Sequence, residues 1–556
     1  MRTGTQKGRV TAAPRPLATP QLLTTGQALL EYLKLEGVCR IFGIPGGAAG
    51  NLLVNIKDRR DDFTFVICRH ETGACYMADG YYRATGRMGV VLVTSGPGAT
   101  NALTGAVNAE NGGTPLIVIT GEVPRQFFGK GYLQEGIDTE LNIDAIYEAA
   151  VTRSLVIGDA CEFQTLVEIA LRESRSIPRS AVHISLPNDV AASPLGPAFQ
   201  MPVSTASYRT VPRGARDEDV SAALDMLRNA ERPLIFLGNG CREALRDPAC
   251  REGLKRFVEH HAIPVATTAD GKGIFPESHP MSLRNYGFAS CRWPGQWMAP
   301  AGGAHYDGLL VIGSALLGLA TENWNPRISP NGPLIQVDLH QHAIWRAVHV
   351  TQGIVAEAGA FISSLAAMGI AQQPDSIKAD SRRKALADIH KTSPYFHPEQ
   401  YESESSPIQP AALVRVLQKT LPRDKTMILL DAGNCVAWGA HYFAIDPPAE
   451  LQSSLAMGPM GFAVGAVVGA RMGRPDFICV ALTGDGAFLM HGAEVSTAQA
   501  YGIGAIWVVL QDDDLRMVTQ GQEYFFPDPH GHRSLRPTFC TRSGSLRTAG
   551  VGGSLQ

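Results

Sequence analysis

Short apolar, β-branched runs alternate with helical patterns along nearly the whole of this chain, and no other feature limits its fold so much. Residues 63–68, 89–94, 115–120 and 182–186 read as strands, with a helical pattern at 27–35. Strands separated by helices cannot pair as hairpins and must rejoin the sheet through crossovers, which yields a parallel sheet wound on both faces. The alternation then repeats twice. A helix at 220–227 goes with strands at 233–238, 263–266, 308–312 and 333–337, and a third segment opens at 427–430. The expectation is an α/β protein of three doubly wound parallel-sheet domains.

Punctuation between these runs sets the boundaries. Residues 192–216 are rich in Pro, Ser and Ala, and 375–409 are polar and interrupted by Pro394, Pro398 and Pro407, so both read as linkers. The chain divides into a disordered leader (1–20), a first domain (21–195), a central domain (196–374), a linker (375–409), a third domain (410–529) and an irregular tail (530–556). The tail is rich in Arg, Ser, Gly and Thr and has no periodic apolar pattern, so the third domain reads as truncated. A length of 556 residues is enough for several separate cores.

Composition excludes several classes of function. A formal net charge of -3 provides no basic surface for nucleic acid or anionic lipid. No run reaches the roughly 18 unbroken apolar residues of a membrane helix. The ten cysteines are scattered, without a CxxC pair or a Cys/His cluster, which points away from disulfides and zinc and toward a reducing cytoplasm. The basic leader lacks the apolar run of a secretory signal. Small molecules are the expected partners.

The sharpest motif lies in the third segment. Gly484-Asp485-Gly486-Ala487 follows an apolar strand, a helical pattern covers 493–500, and a second strand at 505–510 ends in Gln511-Asp512-Asp513-Asp514. Carboxylates at the ends of two neighbouring strands suit Mg²⁺, which takes oxygen ligands and is readily shared with a phosphate. Glycine on either side of Asp485 lets the backbone approach a diphosphate, and the helix that follows offers free N–H groups. Taken alone, Gly-Asp-Gly is also a common turn. A second motif, Arg69-His70-Glu71, follows a strand and leads into a small-residue helix, placing a carboxylate at the mouth of a parallel sheet. By itself such a Glu could simply pair with the helix dipole.

With these segments in this order, the chain resembles thiamine-diphosphate-dependent enzymes of the acetolactate synthase type. Residues 70–86 are similar to the family's His-Glu-x-x-Ala-x-x-Met-Ala-Asp-Gly-Tyr-x-Arg-x-Thr-Gly segment. The resemblance gives Glu71 the part of the carboxylate that binds the cofactor's pyrimidine ring and promotes loss of the thiazolium C2 proton. Residues 484–512 are similar to the motif that begins Gly-Asp-Gly and ends Asn-Asn, whose metal-ligand positions fall on Asp485 and Asp512, with the carbonyl of Asp514 a third ligand. Three further stretches extend the likeness: 42–47, with Pro45, Gly46 and Gly47; 93–101, with Ser95, Pro97 and Asn101; and 458–462, whose Met460 would prop the cofactor into its bent shape. The family's Gly-Gln-His falls on Gly433-Asn434-Cys435.

The resemblance implies a PYR-type, a central and a PP-type domain, with thiamine diphosphate and Mg²⁺ as cofactors. It further implies a homodimer or homotetramer in which Glu71 of one subunit faces Asp485 of another. The implied reaction decarboxylates a 2-oxo acid such as pyruvate and transfers the acyl-anion unit to a second carbonyl. Alternatives are a decarboxylase, lyase or C–C hydrolase on a related ketone, or a non-catalytic subunit. Three departures stand out: Gln511-Asp512 replaces Asn-Asn, Cys435 replaces a histidine near the cofactor ring, and residues 313–321 replace Gly-x-Arg-Phe-Asp-Asp-Arg. The last argues against FAD.

Overall fold

The structure, a computed structural model, describes residues 22–137, 140–210, 213–512 and Met517. The leader, Asp514 and the tail lie outside the described residues, as does the part of the chain on which the truncation reading rests. Three parallel sheets are present, as the alternation requires. The N-terminal sheet contains β1 (Arg40–Gly43), β2 (Thr64–Ile67), β3 (Gly89–Val93), β4 (Leu116–Glu122), β5 (Arg153–Val156) and β6 (Ala181–Pro187), in the order β2-β1-β3-β4-β6-β5. The central sheet contains β7 (Pro233–Leu237), β8 (Val265–Thr268), β9 (Ser282–Tyr286), β10 (Gly308–Ile312), β11 (Leu334–Asp338) and β12 (Gln352–Val355), in the order β12-β11-β10-β7-β8-β9. The third contains β13 (Thr426–Leu430), β14 (Glu450–Ser453), β15 (Ile478–Gly484) and β16 (Ile506–Leu510), in the order β14-β13-β15-β16.

The period-2 alternation of strand side chains assigns each face its core. In the N-terminal sheet, Val90, Leu92, Ile117 and Ile119 point to one side, under helix Thr25–Leu35, while Val91, Val93, Leu116 and Val118 point to the other. That second face shares its core with Met427, Leu429, Cys479 and Ala481 of the third sheet. Helices Glu71–Thr85 and Phe462–Gly473 fill the space between the two sheets, supplying Ala74, Met77, Ala466 and Val467 to the same core. Gly80 and Gly469 permit this closeness, since a Cβ on either would strike the carbonyl of Ala466 or Met77 on the facing helix. The first and last domains are therefore joined through a common helical layer.

The central domain has its own core, and it extends further than the sequence suggests. Residues 375–409 read as a linker, yet helix Ser376–His390 occupies the first half of that stretch and sends Ala379, Leu386 and Ile389 into the central core. Its buried Arg382 donates to the carbonyls of Leu227, Glu231 and His261. A polar surface concealed a four-residue buried stripe. No helix among the described residues is long and apolar enough to cross a membrane.

Candidate active site

Parallel strands end together, and the loops beyond β13, β15 and β16 form the C-terminal half of the site. Leu430 is level with Leu482, and Gly484 with Leu510, so Asp485 and Asp512 follow neighbouring strand ends. Gly484 precedes helix Asp485–His491, and the Gly486 amide donates to Asp485 Oδ1 at 2.8 Å. Among the described residues, no atom lies within 4 Å of where a Cβ on Gly484 would stand, which leaves room there for a ligand, while Ala487 packs beneath it in the interior. Among the described residues, no group of three or more His, Cys, Asp or Glu side chains is placed to hold a metal ion. The third ligand position, Asp514, lies outside them.

Sequence reasoning passed over the residue that organises this half. Asp431, directly after β13, is fully buried and accepts hydrogen bonds from the amides of Ala432 (2.9 Å), Gly461 (2.8 Å) and Ala463 (3.1 Å) and from Thr483 Oγ1 (3.3 Å). One carboxylate thus fixes the Gly433-Asn434 turn, the Met460 loop and the end of β15 relative to one another. Burial outweighs these hydrogen bonds and pushes its pKa up to about 6. The signal was an acidic residue closing an apolar strand just before a glycine. Gly433 (φ 112°) and Gly461 (φ 88°) both adopt backbone that other residues avoid. The half-buried Met460 sits beside Gly461, whose bare face accommodates the His491 ring.

Cys435, at the position the resemblance places near the cofactor ring, is buried beside Gly433. It is buried in the core with Ile428, Leu430 and Leu482, and its thiol donates to the Asp431 carbonyl at 3.1 Å. Burial pushes its pKa up to about 12, so it is a packing residue in thiol form.

The N-terminal half gathers at the ends of β1, β2 and β3. Glu71 opens helix Glu71–Thr85, is 8% exposed, and accepts a hydrogen bond from Asn101 Nδ2 at 3.1 Å. His70 caps this helix, its ring Nδ1 accepting from the Thr72 amide at 3.2 Å. Thr72 Oγ1 donates to the Asn101 carbonyl at 2.5 Å, tying the helix to Pro97–Asn111. Pro97 takes the first position of that second helix after Gly96. Ser95 is turned away, fully buried and donating to the Gln134 carbonyl at 2.5 Å. Instead, the neighbouring Thr94 fills the space left by the missing side chains of Gly46 and Gly98, next to Glu71 Oε1. Its hydroxyl is buried with no hydrogen-bond partner among the described residues. Gly47, after Pro45, borders open space. The motif's Asp79 and Arg83 form a buried ion pair at 2.7 Å, joined by Asn108 and Thr114, and serve packing.

Family models for thiamine pyrophosphate enzymes match all three domains. The N-terminal binding-domain model covers residues 23–141, the central-domain model 220–365 and the C-terminal binding-domain model 431–543. A Mycobacterium tuberculosis protein named as acetolactate synthase large subunit IlvB2 is 31% identical, over 89% of this chain and 86% of that protein. This chain belongs to the thiamine pyrophosphate enzymes. Other relatives of this thiamine pyrophosphate enzyme include the acetolactate synthase isozyme 3 large subunit of Escherichia coli, 29% identical over 93% of the chain and 87% of the relative. The acetolactate synthase large subunit of Buchnera aphidicola is 28% identical over 96% of the chain and 90% of the relative.

A cavity of about 440 Å³ lies apart from these loops, where β7, β10 and β11 end against the N-terminal domain. Arg83, Arg179, Arg242 and Arg246 line it, and each is engaged by the protein. Arg83 binds Asp79, Arg179 the Tyr82 hydroxyl, Arg242 Asn239, and Arg246 Glu450.

Proposed function

We propose that this chain is an acetolactate synthase-like carboligase that decarboxylates a pyruvate-like 2-oxo acid and passes the remaining acyl unit to a second carbonyl compound. In that reaction the bond to the carboxylate breaks, CO₂ leaves, and the electron pair left on the carbonyl carbon forms the new bond to the acceptor. The reading is carried by one observation: a nearly buried Glu71, fixed by Asn101, at the end of β2 in a chain whose Gly484-Asp485-Gly486 turn stands open at the end of β15.

The residues fit the cofactor. Thiamine diphosphate, when bound, supplies the electron sink that makes cleavage next to a carbonyl feasible. Asp485, Asp512 and the Asp514 carbonyl would hold Mg²⁺, an all-oxygen set suited to that ion. The amides of Gly484, Gly486 and Ala487 would meet the diphosphate at a helix start, and Gly433, Asn434 and Met460 would bear on the ring system. Pro45, Gly46, Gly47, Ser95, Pro97 and Asn101 would line the pyrimidine end. The orphaned Thr94 hydroxyl marks a place there for a polar ligand atom. Glu71 would hold and move the proton at the pyrimidine nitrogen.

Against FAD stands the stretch 313–321, which lacks the family's Gly-x-Arg-Phe-Asp-Asp-Arg. The active form would be a homodimer or homotetramer in which Glu71 of one subunit serves the Asp485 turn of another. A cytoplasmic setting is supported by the nine described cysteines, all of them free. Titration of the purified protein with thiamine diphosphate and Mg²⁺, followed by product analysis from mixed 2-oxo acids, tests the reading. A protein that binds the cofactor yet releases only aldehyde would be a decarboxylase.

A further inference from the structure

One buried carboxylate outside the expected set lies against the start of the Glu71 helix. Glu494 is the first residue of helix Glu494–Ala500, just beyond the Gly-Asp-Gly turn, and it is fully buried. Its Oε1 accepts from the His70 amide at 2.9 Å and the Arg69 amide at 3.1 Å, and its Oε2 accepts from Thr497 Oγ1 at 2.6 Å. These two amides lead directly into Glu71. Arg69 is held again by its side chain, Nε donating to Ser496 Oγ at 2.8 Å. Gly73, in the first turn of that helix, leaves room for this arrangement, because a Cβ there would collide with the Glu494 carboxylate.

We infer that Glu494 is a positioning residue for Glu71, fixing from the C-terminal domain the backbone that presents the N-terminal domain's carboxylate; this rests on the proposed thiamine-diphosphate chemistry. The physical grounds are threefold. A carboxylate accepting two backbone amides makes stronger bonds than a neutral acceptor. Its charge is placed at the positive end of the Glu71 helix. Its Oε2 is held in turn by the Thr497 hydroxyl, which keeps the carboxylate in this orientation. Since reaction depends on a well-placed proton acceptor, a small displacement of Glu71 reduces rate without loosening the diphosphate end.

The test uses the full-length enzyme loaded with thiamine diphosphate and Mg²⁺ and measures exchange of the bound cofactor's C2 proton in deuterated water. Glu494→Ala should slow this exchange and kcat by about a hundredfold, and Glu494→Gln, which keeps an acceptor oxygen, by about tenfold or less, with cofactor affinity unchanged in both. In a Glu71→Gln background, Glu494→Ala should add less than about a twofold further loss, because the two residues act through one path. Amide hydrogen exchange of the cofactor-free protein should rise at Arg69 and His70 in Glu494→Ala, a readout that needs no bound cofactor. Full C2 exchange in Glu494→Ala, or an undiminished effect in the Glu71→Gln background, would overturn the inference while leaving the proposed function standing. A parent protein with no C2 exchange would overturn both.

Discussion

The first and third sheets are built on one plan and put it to different uses. The order β14-β13-β15-β16 repeats the order β2-β1-β3-β4, so the Gly484–Asp485 helix start answers the Gly96–Pro97 helix start, and Gly433 answers Gly46 and Gly47. What differs is where negative charge is placed. The N-terminal sheet carries its carboxylate after the outer strand β2, already bound by Asn101. The third sheet places Asp485 and Asp512 after the adjacent strands β15 and β16, and braces the loops from beneath with Asp431. On the proposed reading, equivalent strand ends would become a proton-handling end and a metal-and-diphosphate end, with the charge pattern rather than the fold deciding which is which.

The strongest way to break this comparison is to exchange the charges. Glu71→Gln should lower turnover by about a hundredfold or more while thiamine diphosphate still binds, as measured by 2-oxo acid consumption and cofactor titration. Asp485→Asn should do the reverse, weakening Mg²⁺-dependent cofactor binding by about 10- to 100-fold, with a smaller loss of turnover at saturating cofactor. Equal effects of both variants on binding would show that the division of labour is wrong.

Glycines sharpen the contrast at smaller amplitude. Gly80→Ala forces a methyl group against the Ala466 backbone and should cost about 1–3 kcal/mol in thermal or denaturant unfolding. Gly484→Ala enters open space and should leave stability within about 0.5 kcal/mol while still weakening the diphosphate end.

A second stability effect, comparable in size to that at Gly80, is one of pH. Asp431 has its pKa raised from 3.8 to about 6, so the folded protein binds this proton more tightly than the unfolded chain. Stability contributed by the neutral acid is complete below about pH 4 and declines as pH rises to about 6, by roughly 3 kcal/mol over the interval. Unfolding free energies of the cofactor-free protein should show this fall, and Asp431→Asn should flatten it.

Much of this was legible in the sequence because buried parallel strands are apolar throughout. Residues 308–312 and 427–430 were found almost to the residue. Strand β14, Glu-Leu-Gln-Ser, was missed because its polar side chains are satisfied by distant partners, Glu450 by Arg246 and Arg474. Helix Ser376–His390 was missed for the same reason, its buried arginine being indistinguishable from a solvent-facing one. At the site, Glu71 with Asn101 and the Gly484–Gly486 turn were visible as local motifs. Glu494 was not, because its partners lie more than four hundred residues away in the chain, and the burial of Cys435 depended on a core no local pattern describes.

The helical layer that the first and third sheets share has a consequence for how the protein comes apart. Neither terminal third can keep a complete interior once the other is gone, so the two should melt in a single calorimetric transition although the central domain separates them along the chain. A protease nick between residues 402 and 409 would leave the fragments associated, and ribosomal synthesis must reach β15 before the opening third of the polypeptide can settle.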